Sequence, residues 1–148
     1  MTLTMALIKA DIIAAEQAIN YYNEHNTKDI KNIAAYHLQQ AAEKLIKIQI
    51  YAKANSINYA SMYTHNLEKL ITYAQSLKID FVLPKYISDN SLVITGWEAG
   101  SRYNVGFQIR ITTLNKALAE IQDWYDTLYA AGIRTAQFNQ YHPSNGWY

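Results

Sequence analysis

The chain is predicted to fold as an all-α, up-and-down bundle of four to five helices. Three observations carry this expectation. Apolar residues recur at three- and four-residue steps through several long segments. The links between those segments are short, which suits neighbouring antiparallel helices. The one run with β-propensity, Leu92-Val93-Ile94, is too short and isolated to build a sheet.

The first helix is expected over about Thr4 to Asn23. Ile8, Ile12, Ala15, Ile19 and Tyr22 form one stripe, which Leu7 and Ile13 widen. His25-Asn26-Thr27 reads as a connection. Thr27 is a natural N-cap, with Asp29 in the first turn, where the helix dipole favours an anion. The second helix is expected over about Lys28 to Ala54. Its buried face is Ile30, Ile33, Ala34, Leu38, Ala41, Ala42, Leu45 and Ile46. The small Ala34 and Ala41 suit close approach of another helix, in the core or across a dimer. His37 lies beside them and reads as a satisfied histidine of that core or dimer face. Glu43 precedes Lys47 by four residues, an ion pair worth only about 0.2–0.5 kcal/mol.

A small, polar loop follows, about Asn55 to Thr64. The third helix carries Leu67, Leu70, Ile71, Ala74 and Leu77, with Thr64 or Asn66 as its cap. Phe81-Val82-Leu83-Pro84 is an extended connector, because the residue before proline avoids the helical region. Pro84 can then open a fourth helix. That helix is expected to be broken, since Gly96 and Gly100 each cost about 1 kcal/mol against alanine. The fifth helix, about Thr112 to Ala131, presents Leu114, Ala117, Leu118, Ile121, Tyr125 and Leu128. Gly132 suits the position just past its end. The domain is expected over residues 1–131. Residues 132–148 form a tail whose Phe138, Tyr141, Trp147 and Tyr148 suit contact with the bundle or a partner.

Composition narrows the function. The 148 residues suit one domain without internal repeats. There is no cysteine, so disulfides and thiolate metal sites are excluded. No histidine pair stands at metal-ligand spacing on a helix, and no metal or cofactor is expected. The start lacks the basic residues and apolar run of a signal peptide, and no stretch approaches a membrane span. A cytoplasmic protein without membrane contact is the expectation. Thirteen basic residues against twelve acidic ones argue against a duplex-DNA binder. The three arginines, Arg102, Arg110 and Arg134, all lie in the last third, so a phosphate contact is expected there. Thirteen tyrosines suit a core edge with hydroxyls in water, or base stacking.

Four segments, in order, go further than periodicity. They are Ala10-Asp11-Ile12-Ile13-Ala14-Ala15, Ala35-Tyr36-His37-Leu38-Gln39-Gln40-Ala41-Ala42-Glu43-Lys44, His65-Asn66-Leu67-Glu68-Lys69-Leu70 and Arg102-Tyr103-Asn104. Together they resemble the HEPN family (higher eukaryotes and prokaryotes nucleotide-binding), over about Thr4 to Ala131. The resemblance implies a helical bundle, a homodimer, and for many bacterial members a minimal nucleotidyltransferase partner in a toxin–antitoxin-type pair. It also implies, for a large subset, metal-independent RNA cleavage by an arginine followed, after four to six residues, by a histidine. Histidine suits the base and arginine the charge of the phosphorane.

This chain departs from that motif. From Arg102 the histidine window falls on Phe107, Gln108 and Ile109; from Arg110 it falls on Asn115, Lys116 and Ala117. Arg134 and His142 are separated by seven residues, one too many. The expectation is therefore a binding protein for a nucleotide or RNA, with Arg102 and Tyr103 as contacts and His65 lining the cleft. The bland readings are an arginine bonding helix carbonyls, a core tyrosine and a capping histidine. The rivals are a divergent ribonuclease using Arg102 with His65 or His37, and a pure protein-interaction module.

Overall fold

A computed structural model describes residues 2–103 and 107–137; the side chains of Arg102, Tyr103 and Gln137 also fall outside it. The elements run β1 (Thr2–Thr4), α1 (Met5–His25), α2 (Ile30–Lys53), α3 (Tyr59–Met62), α4 (Leu67–Ser76), α5 (Lys85–Asp89), α6 (Ser91–Tyr103), α7 (Ile111–Ala130) and β2 (Thr135–Gln137). Five of these helices are ten residues or longer. They form the expected all-α bundle.

Helix α2 is its axis. It packs against α1, α4, α6 and α7, and Ala34, Ala35, Leu38, Ala41, Ala42, Leu45, Ile46, Ile48 and Ile50 are fully buried. An amphipathic helix buries one stripe, whereas this one is covered on several sides. Its polar side chains must therefore find partners inside. Gln49 does so with the backbone of the connector: Val82 N–H donates to Gln49 Oε1 at 2.8 Å, and Gln49 Nε2 donates to Val82 O at 3.1 Å. The Trp124 indole on α7, also buried, donates to the same carbonyl at 2.9 Å. The extended connector expected before Pro84 is thus clamped between α2 and α7.

The helix ends follow local chemistry. Asn66 caps α4, accepting from Lys69 N at 3.1 Å, while Thr64 accepts from Asn66 N, so both proposed caps act in series. Gly132, at φ +97°, ends α7 with bonds from Gly132 N to Tyr129 O and from Ile133 N to Leu128 O. This is the paired closing pattern that a left-handed glycine permits.

Several expectations need correction. Leu7, Ile13 and Ile33 are 53, 42 and 47% exposed rather than buried, because α1 and the start of α2 sit at the rim and turn one face outward. Asp29, not Thr27, is the N-cap of α2, and it makes no side-chain cap bond. Pro84 stands at the N-cap of α5, one residue before the helix. The loop after α2 contains the short α3, capped by Asn58. The fourth helix is broken, but at Asn90 rather than at a glycine. Asn90 N–H closes α5 on Tyr86 O, and its carbonyl accepts from Ile94 N to begin α6. Helix α6 runs through Gly96 and Gly100. A Cβ at Gly100 would stand 2.7 Å from Phe107 Cδ1, so the close approach of that ring explains the glycine.

The tail begins with a strand. Thr135–Gln137 pairs antiparallel with Thr2–Thr4 in the register Leu3↔Ala136, and both central residues are buried. This pair is local to the chain ends and adds no layer. The tail aromatics beyond Gln137 lie outside the described residues, as does Asn104. Among the described residues, no helix is long and apolar enough to cross a membrane.

The two helical glycines should respond oppositely. Nothing lies within 4 Å of a Cβ at Gly96. Gly96→Ala should therefore raise the urea midpoint, by about 0.5–1 kcal/mol of stability. Gly100→Ala should lower it by about 1–3 kcal/mol, as overpacking against the Phe107 ring outweighs the gain in helix propensity.

Candidate functional site: two carboxylate-held histidines against the central helix

Two acidic side chains are buried beside α2, each clamped by a histidine and a lysine. Asp11, on α1, is 8% exposed. Its Oδ1 meets His37 Nδ1 at 2.8 Å and its Oδ2 meets Lys44 Nζ at 2.7 Å. Glu43, on α2, is 5% exposed. Its Oε1 meets His65 Nδ1 at 2.8 Å and accepts from Gln39 Nε2 at 3.1 Å. Lys47 Nζ holds the other oxygen at 2.9 Å. Gln39 also donates to His65 O, and Gln40 donates to Gln39 Oε1 at 2.7 Å.

Helical geometry explains the arrangement. His37, Gln40, Lys44 and Lys47 follow steps of three and four, so they share a row on α2. All four are half-buried. Gln39 and Glu43 are one turn apart on the adjoining, buried side. The chain between α3 and α4 carries His65 over Glu43, and the Thr64–Asn66 capping turn holds it there.

The carboxylates decide the imidazole chemistry. A carboxylate oxygen accepts, so Nδ1 carries a hydrogen in both rings, and in the neutral form of each ring Nε2 is the acceptor. Neither Nε2 makes a hydrogen bond among the described residues. His65 is the more open, with 63% of its side chain exposed against 29% for His37. Burial pushes the Glu43 carboxyl upward. The Lys47 charge and hydrogen bonds from Lys47, His65 and Gln39 outweigh that effect and hold it below the ordinary carboxylate value. Tyr51, one turn beyond Lys47, is pushed up to about 12 by burial and by its neighbours Tyr59 and Glu43. It stays neutral at any physiological pH.

The structure thus sets His37 and His65 on separate carboxylates. Ala34 and Ala41 are fully buried within this chain's own core, behind the polar row. Arg102 and Tyr103 are the last two residues of α6. That helix passes the start of α4, where Leu67 N donates to Thr95 Oγ1 at 2.9 Å. Position 102 follows seven residues later, about 10 Å along the axis. Arg110 is the exposed N-cap of α7. Arg134 stacks 3.3 Å above the Tyr129 ring and donates to Tyr129 O. His142 lies outside the described residues. Among the described residues, no group of three metal-ligating side chains is present.

Helical spacing pairs Glu43 with Lys47 but not with His65 or Gln39, and it gives Asp11 no partner. The usable signal was an acid inside the first apolar stripe, at Asp11 between Ile8 and Ile12, and an amide and acid on the buried side of α2. A charge in a buried stripe requires a partner.

Glu43 should govern part of the acid sensitivity. Its ionised form is favoured in the fold, so the stabilisation is present above the ordinary carboxylate range and is lost as pH falls through the lowered value. Glu43→Gln should cost roughly 1–3 kcal/mol in urea unfolding at pH 7. The gap to the parent should narrow as pH drops below about 4.

The comparisons agree with this architecture. The family model for the HEPN domain matches residues 11–127, from the buried Asp11 on α1 to the last turns of α7. No curated protein and no solved structure matches the chain. A family model that spans most of the chain settles its membership: the chain belongs to the HEPN domain family.

Proposed function

We propose that this chain is a nucleotide- or RNA-binding HEPN protein, acting as a homodimer, with its ligand held along the polar row of α2 and the end of α6. The observation that carries the reading is the pair of carboxylate-held imidazoles, each beside a lysine. Phosphate oxygens can accept from the spare hydrogens of Lys44 and Lys47, and ligand hydroxyls can donate to Nε2 of His65 or His37. Arg102 and Tyr103 supply a guanidinium and an aromatic ring from the end of α6. The exposed Leu7, Ile13 and Ile33 support a face that a partner covers, either a second copy or a minimal nucleotidyltransferase of a toxin–antitoxin-type pair.

One observation favours a second reading, divergent metal-independent RNA cleavage. A carboxylate on Nδ1 is how a histidine base is held in its working tautomer. His65 Nε2 would take the 2′-hydroxyl proton as the 2′-oxygen attacks phosphorus. The 5′-oxygen leaves and gains a proton from an imidazolium or water, and Arg102 offsets the phosphorane charge.

Two assays separate these readings from a pure interaction module. Thermal unfolding against nucleotides and short single-stranded RNA should show a rise of several degrees at saturation. That rise should shrink in Arg102→Ala and in His65→Asn, which keeps a donor for Glu43 but has no Nε2. No shift with any ligand would reject the binding proposal and leave the interaction module. Labelled RNA incubated without metal should stay intact. Cleavage that disappears in both variants would establish the second reading instead.

A further inference from the structure

We propose that the groove along the outer face of α4 is a nucleoside subsite, taking one unpaired base and its ribose while the adjoining phosphate lies toward His65. The inference rests on the nucleotide-binding reading above and gives it a location beyond the histidine row. The groove has a volume of about 810 Å³, within the range of small-molecule sites. It opens between α4, the α3 loop and the start of α6.

Its walls are preformed. Tyr73 Oη accepts from Asn58 N at 2.7 Å, fastening the α3 loop to α4. Asn58 Oδ1 caps α3 through Ala60 N, and Thr64 N–H closes on Met62 O. On the other side, the Leu67–Thr95 bond and the buried Ser91 fix the start of α6. The floor is the row Lys69, Thr72 and Ser76, about 10 Å long at the helical rise. Thr64 and Asn66, the neighbours of His65, stand at one end.

The lining chemistry selects the ligand. Tyr63 is 67% exposed and Leu92 62% exposed, so a ring and an aliphatic side chain border the groove. Base stacking on an exposed aromatic is the usual route to unpaired bases. Hydroxyls and an amide between them, from Ser61, Thr72 and Asn66, match ribose hydroxyls and base edges. The charges of Glu68 and Lys69 cancel, which suits the uncharged half of a nucleotide rather than a polyphosphate. A peptide fits worse. No strand edge borders the groove for β-addition, and the polar floor offers no apolar track for an amphipathic helix.

Fluorescence anisotropy with a labelled single-stranded oligouridylate tests this, using the full chain and the variants Tyr63→Ala and Thr72→Trp. Both positions are exposed, and unchanged circular dichroism and melting would confirm that the variants fold. Each variant should weaken binding by roughly fivefold or more, the lower end of what one base–aromatic stack contributes. An abasic ribose–phosphate oligomer should bind the parent chain more weakly and be indifferent to Tyr63→Ala. If the parent binds oligouridylate and both variants bind it equally well, the groove assignment is overturned while the nucleotide-binding reading stands. If the parent binds no RNA, while a peptide or protein ligand is captured through Tyr63, both are overturned.

Discussion

Everything in this structure depends on burying ionised and amide groups against a helix that is covered on several sides. Glu43, Gln39 and Gln49 on α2 and Asp11 on α1 are all buried. Each would carry a desolvation cost of several kcal/mol without partners. Each therefore draws a specific neighbour to it. Asp11 ties α1 to α2 through His37 and Lys44, Glu43 brings in the turn before α4, and Gln49 takes the backbone of Val82. Apolar packing alone would permit helices to slide and rotate. These directional contacts set their register.

The same contacts produce the chemistry. A neutral histidine whose Nδ1 is committed to a carboxylate presents Nε2 as an acceptor, and Lys47 on the second oxygen of Glu43 favours its ionised form. The groups that stabilise the bundle thereby orient the imidazoles of the candidate site. Structure and candidate site share one set of interactions here. No histidine stands in the window after Arg102 where the resemblance implied a base. Two imidazoles are held elsewhere, His37 on α2 by Asp11 and His65 in the turn before α4 by Glu43.

Large apolar side chains are exposed at several places: Leu7, Ile13 and Tyr21 on α1, Ile33 on α2, Leu92 and Val93 on α6, and Tyr63 before α4. The hydroxyl-rich groove follows α4, with Thr64 and Asn66, the neighbours of His65, at one end. Helix α2 packs against both α1 and α4.

Much of the fold was legible because helical periodicity, capping and turn chemistry are local. The stripes of α1, α2, α4 and α7, the Asn66 cap and the Gly132 ending all follow from residues within a few positions of one another. The family also was legible, from the order of four short segments. Other features were decided only in three dimensions. Asp11 and His37 are 26 positions apart, as are Gln39 and the His65 carbonyl. Sequence shows an acid in an apolar stripe but not which cation crosses the interface to meet it. The break at Asn90 and the tolerance of Gly100 likewise depended on Tyr86 and the Phe107 ring. Local propensity names the elements; the need to satisfy buried charge, which only packing creates, chose which residues meet.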